Sequence, residues 1–276
     1  MSVAARTDLL NKSRRGVVIA AHIGYAAKGL VYLVTGLLAL LTALGESSGR
    51  LTDSRGALRE IGEQPFGAFL LWATAAGLLC YAAWNGVCAA LDPEHKGSDG
   101  KGIIKRIGYG ITCVVHLALA YYAAELAHGS SSGSGGGTRS SVNRALSLPF
   151  GSVLVGIVGA VLIGFGLSQL YKAAKGKVGE QYASAPLDAR LCRVVRRVAR
   201  VGVFARGLVF PVIGLSLITA AIRGNAGEAD GFGEALGELA RQPFGTALLA
   251  FVAAGLMAYA VHLFFVARYG HLPEPH

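Results

Sequence analysis

Charge is scarce in this chain. Of its 276 residues only 15% are Asp, Glu, Lys or Arg, against 53% hydrophobic residues and a mean hydropathy of +0.50, a balance that fits no ordinary soluble domain. Carboxylates are scarcer still inside the apolar stretches, where Glu125, near one end of a stretch, stands alone. Paired intramembrane carboxylates for acid–base chemistry are therefore excluded. The four cysteines form no C-x-x-C pair: Cys80, Cys88 and Cys113 fall in apolar stretches and Cys192 between two of them, as reduced structural thiols do. There is no G-x-S-x-G, no H-E-x-x-H and no Walker loop following a strand. The sequence reads as that of a non-enzyme.

What is present in quantity is apolar length. Six stretches, 17–44, 67–91, 107–127, 150–171, 201–222 and 245–267, each hold twenty-one or more residues with almost no charge. About twenty such residues span a hydrocarbon core of about 30 Å at a rise of about 1.5 Å each. They are apolar all round and rich in Ala, Gly and Leu, whereas a membrane barrel would alternate. Six transmembrane helices are expected. The first is too long for the apolar region of a signal peptide and has copies later in the chain, so it reads as a retained helix.

The net charge of +10 raises the possibility of a nucleic-acid partner, and the placement of the charges argues against it. With the N-terminus assigned inside, seventeen Lys and Arg fall in the segments on that side and seven on the other, while Lys28 and Arg206 lie within apolar blocks. That asymmetry places both termini in the cytoplasm, in a bacterial inner membrane, with the basic face against anionic lipid.

The chain repeats itself. Pro-Phe-Gly occurs as Pro65-Phe66-Gly67, Pro149-Phe150-Gly151 and Pro243-Phe244-Gly245, at offsets of 84 and 94 residues. Gly24, Gly108 and Gly202 precede the three prolines by 41 residues each, and Tyr81, Phe165 and Tyr259 follow them by 16. Such register defines an internal repeat. Its units are 17–94, 101–178 and 187–270, between an N-terminal segment 1–16 and a tail 271–276. Each unit holds two spans, so the units are parallel and are expected to pack with pseudo-threefold symmetry.

Before Pro-Phe-Gly stand GALREIGEQ in the first unit and FGEALGELARQ in the third, with apolar residues at helical spacing among charges. These predict short interfacial helices. Proline would end each one and open the next span from its first turn, with the glycine permitting a sharp turn or close packing. In the second unit GSSSGSGGGT at 129–138 reads as a flexible tether, which predicts a short or frayed surface helix there. RLCRVVRRVAR, before the fifth span, predicts a further interfacial helix.

The strings GYAAKGLVY and GVFARGLVF, with GALREIGEQPFG and GELARQPFG, resemble the bacterial membrane proteins grouped as domain of unknown function 1206. The resemblance runs from about residue 20 to 270 and implies three tandem two-helix copies. It brings no activity, catalytic residue or cofactor with it. The second copy departs by carrying Thr112 where the others carry a base, and Cys113 for glycine.

Lys28 and Arg206 occupy the same repeat position. On the i, i+4, i+8 stripe they join Tyr32, Thr112 and His116, about 9 Å below the cytoplasmic boundary as counted from Arg200. Two readings stand. The side chains snorkel to cytoplasmic headgroups, or they face the bundle and bind an anionic lipid headgroup or small anion, with Tyr32, Thr112 and His116 as added donors. A transporter or channel for a small solute is the alternative, although the outer halves of the spans are mainly Gly, Ala, Leu and Val, with Gly36, Gly77, Gly159, Gly164, Gly166, Gly214 and Gly255 as close-packing points. A haem or metal site at His22, His116 and His262 ranks third, since their spacing matches no ligand pattern. No cofactor and no nucleic-acid partner is expected.

Overall fold

The computed structural model describes residues 3–46, 49–93, 97, 99–129, 138–179 and 188–271. Residues 130–137 of the Ser/Gly stretch and 272–276 of the tail lie outside the described residues. Nine α-helices follow one another among those described: α1 (Val3–Ala43), α2 (Ser54–Glu63), α3 (Gly67–Leu91), α4 (Gly100–Ala127), α5 (Thr138–Leu146), α6 (Gly151–Ala174), α7 (Ala189–Arg223), α8 (Phe232–Arg241) and α9 (Gly245–Tyr269). Six of them, α1, α3, α4, α6, α7 and α9, are long and apolar enough to cross a membrane. The three short ones, α2, α5 and α8, lie between the two spans of each unit, on the face opposite the termini.

Their packing has an order. α3 packs on α4, α6 on α7 and α9 on α1, which joins each unit to the next; α1 packs on α3 and α7 on α9 within the first and third units. A closed ring of three hairpins needs one more contact, between α4 and α6, and those two helices do not pack against each other. The pseudo-threefold ring is open at its second hairpin.

The three seams between units share a latch. Arg106 of α4 donates from Nε and Nη2 to the carbonyls of Ala89 and Ala90 at the end of α3, at 2.8 and 2.9 Å. Arg200 of α7 donates to Ala174 O at the end of α6, at 2.7 Å, and His22 Nε2 of α1 lies 3.0 Å from Gly270 O after α9. Offsets of 84 and 94 make His22, Arg106 and Arg200 one repeat position. Each places a side-chain nitrogen where a helix C-terminus leaves carbonyls without intrahelical partners. Small residues tighten the same seams: a Cβ on Gly36 would meet Met257 Cγ at 2.8 Å, and one on Gly214 would meet Gly159 O at 2.5 Å. Gly164 has nothing within 4 Å of a built Cβ, so it is no packing point.

Pro-Phe-Gly marks the boundary between surface helix and span, by a geometry other than the sequence predicts. α3, α6 and α9 begin at Gly67, Gly151 and Gly245, so each proline precedes its helix by two residues. It occupies the second place of a turn closed by Gly67 N to Gln64 O at 2.8 Å, Gly151 N to Leu148 O at 2.9 Å and Gly245 N to Gln242 O at 2.7 Å. Phenylalanine, rather than glycine, takes the left-handed conformation, with φ of 62° at Phe66, 60° at Phe150 and 61° at Phe244. The glycines are needed for room: a Cβ there would collide with the carbonyl oxygens of Gly62, Ala145 and Ala240 in the preceding surface helices. The three phenyl rings are 86–90% exposed, as residues meeting a lipid headgroup layer would be.

Two further expectations change. RLCRVVRRVAR is no separate interfacial helix, because α7 runs unbroken from Ala189 to Arg223. Val195, Ala199 and Val203 form a buried i, i+4, i+8 stripe that carries the same face into the bundle, and the helix's proline, Pro211, comes only after it. α1 likewise starts at Val3, within the N-terminal segment. The second surface helix is not frayed: α5 has nine residues against ten in α2 and α8, with Val142 buried and Arg139 3.6 Å from Asp230 of the third unit.

Candidate functional site

Both intramembrane cations turn inward, and snorkelling is excluded for Lys28, which is 6% exposed. Its Nζ donates to Tyr81 Oη at 2.7 Å and stands 4.2 Å from the centre of the same ring. Arg206 repeats the arrangement in the third unit, Nη1 donating to Tyr259 Oη at 2.8 Å. Each pair is separated by 53 residues. In the second unit the same separation joins Thr112 to Phe165, so the unit that lacks the cation also lacks the phenol oxygen. The donor and its acceptor are replaced together.

Around these pairs lies an aromatic enclosure. The Arg206 guanidinium carbon is 4.8 Å from the ring centre of Tyr259, 5.0 Å from Phe210, 5.2 Å from Phe165 and 5.6 Å from Tyr32, all within cation–π range. Tyr32 and Tyr259 meet edge to face at 4.9 Å, and Tyr81 contacts Tyr25 at 5.2 Å and His116 at 4.6 Å. Tyr32, one turn after Lys28 on α1, packs against both Arg206 and Tyr259 and so brings the two pairs into one enclosure. No carboxylate among the described residues forms an ion pair with either. Arg206 Nε is buried and has no hydrogen-bond partner. Aromatic faces and phenol oxygens offset part of the cost of burying two basic groups in a desolvated space; Arg206 Nε they leave unanswered.

Four of the five candidates thus converge: Lys28, Arg206, Tyr32 and His116. Thr112 does not join them, because its hydroxyl donates to Gly108 O of its own helix at 2.8 Å. The depth also differs from the sequence-based count. Tyr81 and Tyr259 stand ten residues before the ends of α3 and α9, about 15 Å at 1.5 Å per residue, which is half the thickness of a hydrocarbon core. Sequence reasoning did not assign Tyr81, Phe165 and Tyr259 to the site, although it had found them as repeat anchors. Their common distance of 53 residues from Lys28, Thr112 and Arg206 was the signal.

The three histidines do not converge. His22 serves the latch, with Nδ1 2.7 Å from Val18 O; His116 Nδ1 lies 2.8 Å from Thr112 O; His262 packs against the Tyr259 ring at 5.8 Å. Among the described residues no three His, Cys, Asp or Glu side chains are grouped to hold a metal ion. A concavity of about 520 Å³ opens on the face of the short helices, where α2, α5 and α8 meet. Its wall mixes Arg55, Arg59, Arg139 and Arg241 with Asp53, Asp230 and Glu234, so basic groups there have acidic neighbours.

Replacing Tyr259 by phenylalanine tests how far the phenol supports the cation. The Tyr259→Phe variant should lose about 1.5–3 kcal/mol of stability, the range for a hydrogen bond to a charged group, whereas Phe165→Tyr should change little. Thermal unfolding of the two variants in one detergent measures the difference.

The open hairpin differs from the other two at the places where their helices meet. In the first unit a Cβ on Gly77 would collide with Ala27 Cβ, and in the third one on Gly255 would collide with Ala205 Cβ. The same offsets put Ile111 and Val161 at these places in the second unit, and both are more than half exposed, at 53% and 54%. Two branched side chains stand at the repeat positions where the other hairpins close on alanine and glycine.

The three units coincide with what is known of related chains. The model of the family "Domain of Unknown Function (DUF1206)" matches residues 23–92, 107–176 and 201–270, again at offsets of 84 and 94. "Uncharacterized protein YxxB" of Bacillus subtilis (strain 168) is 32% identical over 252 residues, covering 91% of this chain and 90% of that protein. No solved structure matches. With three successive copies of the family's unit and a full-length relative, this helical, multi-pass membrane protein belongs to the DUF1206 family.

Proposed function

We propose that the protein is a non-enzymatic membrane protein that binds an anion, either a lipid headgroup or a small solute anion, between Lys28 and Arg206. The observation that carries this reading is the meeting of two basic side chains in one aromatic enclosure, without a carboxylate and with Arg206 Nε unpartnered. An isolated cation at mid-membrane costs on the order of 2.5–3.5 kcal/mol on insertion scales. Two cations that also repel each other cost more, and a bound anion answers both terms. The excess of Lys and Arg on the side of the termini supports a cytoplasmic orientation for that side in a bacterial inner membrane.

Native mass spectrometry of gently solubilised protein tests the reading. Wild type should retain a defined anionic adduct that a Lys28→Gln, Arg206→Gln double variant of equal thermal stability loses, by about tenfold or more for each charged contact removed. Equal adducts on both proteins, or none on either, would remove the two cations from any binding role. Flux into protein-loaded liposomes would then decide for or against a solute transporter.

A further inference from the structure

The open hairpin gives the enclosure a side door. α4 and α6 are the two ends of an otherwise continuous row of helices, α4–α3–α1–α9–α7–α6, and each carries one wall residue of the cation enclosure. His116 on α4 touches the Tyr81 ring at 4.6 Å, and Phe165 on α6 lies 5.2 Å from the Arg206 guanidinium carbon. Between them Gly108 has nothing within 4 Å of a built Cβ, whereas Gly24 and Gly202, its equivalents, press on the backbone of the partner helix. The residues at this gap, Ile111 on α4 and Val161 on α6, are apolar and more than half exposed. The gap therefore opens on lipid hydrocarbon, and its inner end is cationic.

From this geometry we infer that the ligand of Lys28 and Arg206 is an anionic amphiphile, which reaches the cations sideways with its acyl chain lying between α4 and α6. The inference rests on the anion-binding reading and narrows it. Charge complementarity fixes the head: two cations and an unpartnered guanidinium N–H suit a phosphate or carboxylate. The apolar gap fixes the tail, because exposed Ile and Val offer a soluble anion nothing and offer a chain a surface to lie on. Repeat comparison adds that the gap replaces the third cation–phenol pair. Where the ring opens, Thr112 and Phe165 leave no charge in the chain's way.

Two phosphate probes separate the possibilities: phosphatidylglycerol, and glycerol phosphate, which has no acyl chains and at least as much negative charge, each measured by native mass spectrometry. Wild type should retain the lipid and release the glycerol phosphate. Val161→Trp, which fills the gap from α6, should lower lipid occupancy about tenfold, and Ile111→Trp, from α4, should do the same, both sites being exposed enough to admit the ring. Lys28→Gln with Arg206→Gln should remove the lipid. Glycerol phosphate held as firmly as the lipid would overturn lateral access while leaving anion binding intact. So would full lipid occupancy in both tryptophan variants. Lipid retained equally by wild type and by the double glutamine variant would overturn the anion-binding reading itself.

Discussion

Alanine in place of Gly24 or Gly202 should cost the folded protein about 2–3 kcal/mol, toward the upper end for overpacking a tight contact, while alanine in place of Gly108 should cost nothing. All three glycines occupy one repeat position. A Cβ on Gly24 would stand 2.6 Å from Tyr81 Cα and 2.7 Å from Tyr81 Cβ, and one on Gly202 would stand 2.6 Å from Tyr259 Cα and 2.8 Å from the carbonyl carbon of Ala258. Backbone cannot rotate away as a side chain can, so the two helices must part. Parting α7 from α9 also carries Arg206 away from Tyr259 Oη, and parting α1 from α3 carries Lys28 away from Tyr81 Oη. At Gly108 a methyl group meets open space, and alanine's helix propensity, about 1 kcal/mol better than glycine's in an exposed helix, has nothing to oppose it. Thermal unfolding in a single detergent, with the three variants side by side, reads the contrast. An equal loss at all three positions would mean that the second hairpin is closed.

The spans, the triplication and the position of the turn were legible in the sequence because each depends on properties that survive from copy to copy: apolar length, register, and a proline that cannot continue a helix. Which residue of Pro-Phe-Gly takes the strained conformation was not legible. Glycine is the usual occupant of left-handed positions, and the sequence leaves open whether it serves the turn or close packing; the closeness of the surface helix, whose carbonyl at Gly62, Ala145 or Ala240 faces it, decides for packing. Part of the site was visible in the same limited way. Lys28 and Arg206 stood out as charges among apolar residues, but whether they snorkel depends on what the neighbouring helix offers them, and a phenol oxygen at mid-span is a tertiary fact. The continuity of α7 was hidden for a related reason. Arg193, Arg196, Arg197 and Arg200 suggest a surface helix, while the stripe of Val195, Ala199 and Val203 that binds the helix to α6, α9 and Tyr259 is weak in composition and strong in packing.

The opening between α4 and α6 was readable, but only from the positions at which the copies differ. Matching anchors define a repeat; mismatched ones show how a copy departs from it. Ala27 and Ala205 become Ile111, and Gly77 and Gly255 become Val161, at the point where two helices of a hairpin come closest. If those side chains hold the ring open, restoring the small pair should close it. An Ile111→Ala, Val161→Gly variant should bring α4 against α6, shortening the distance between spin labels at Val114 and Val158 by roughly 5–10 Å, the order of one interaxial spacing. Both label sites are exposed, at 66% and 44%, so labelling leaves the existing contacts undisturbed. Closure costs little in the helices themselves, since alanine is a better helix former than isoleucine and glycine only slightly poorer than valine. It gains a seam of the kind that Gly24 and Gly202 already make. An unchanged distance would show that the gap is set by something other than these two side chains, with the second surface helix and its link from Arg139 to Asp230 next in line. A shortened distance would give a protein whose cations are intact and whose hydrocarbon opening is shut. In that variant lipid occupancy should fall although Lys28, Arg206, Tyr81 and Tyr259 are untouched, because access to the site, rather than the site, has been removed.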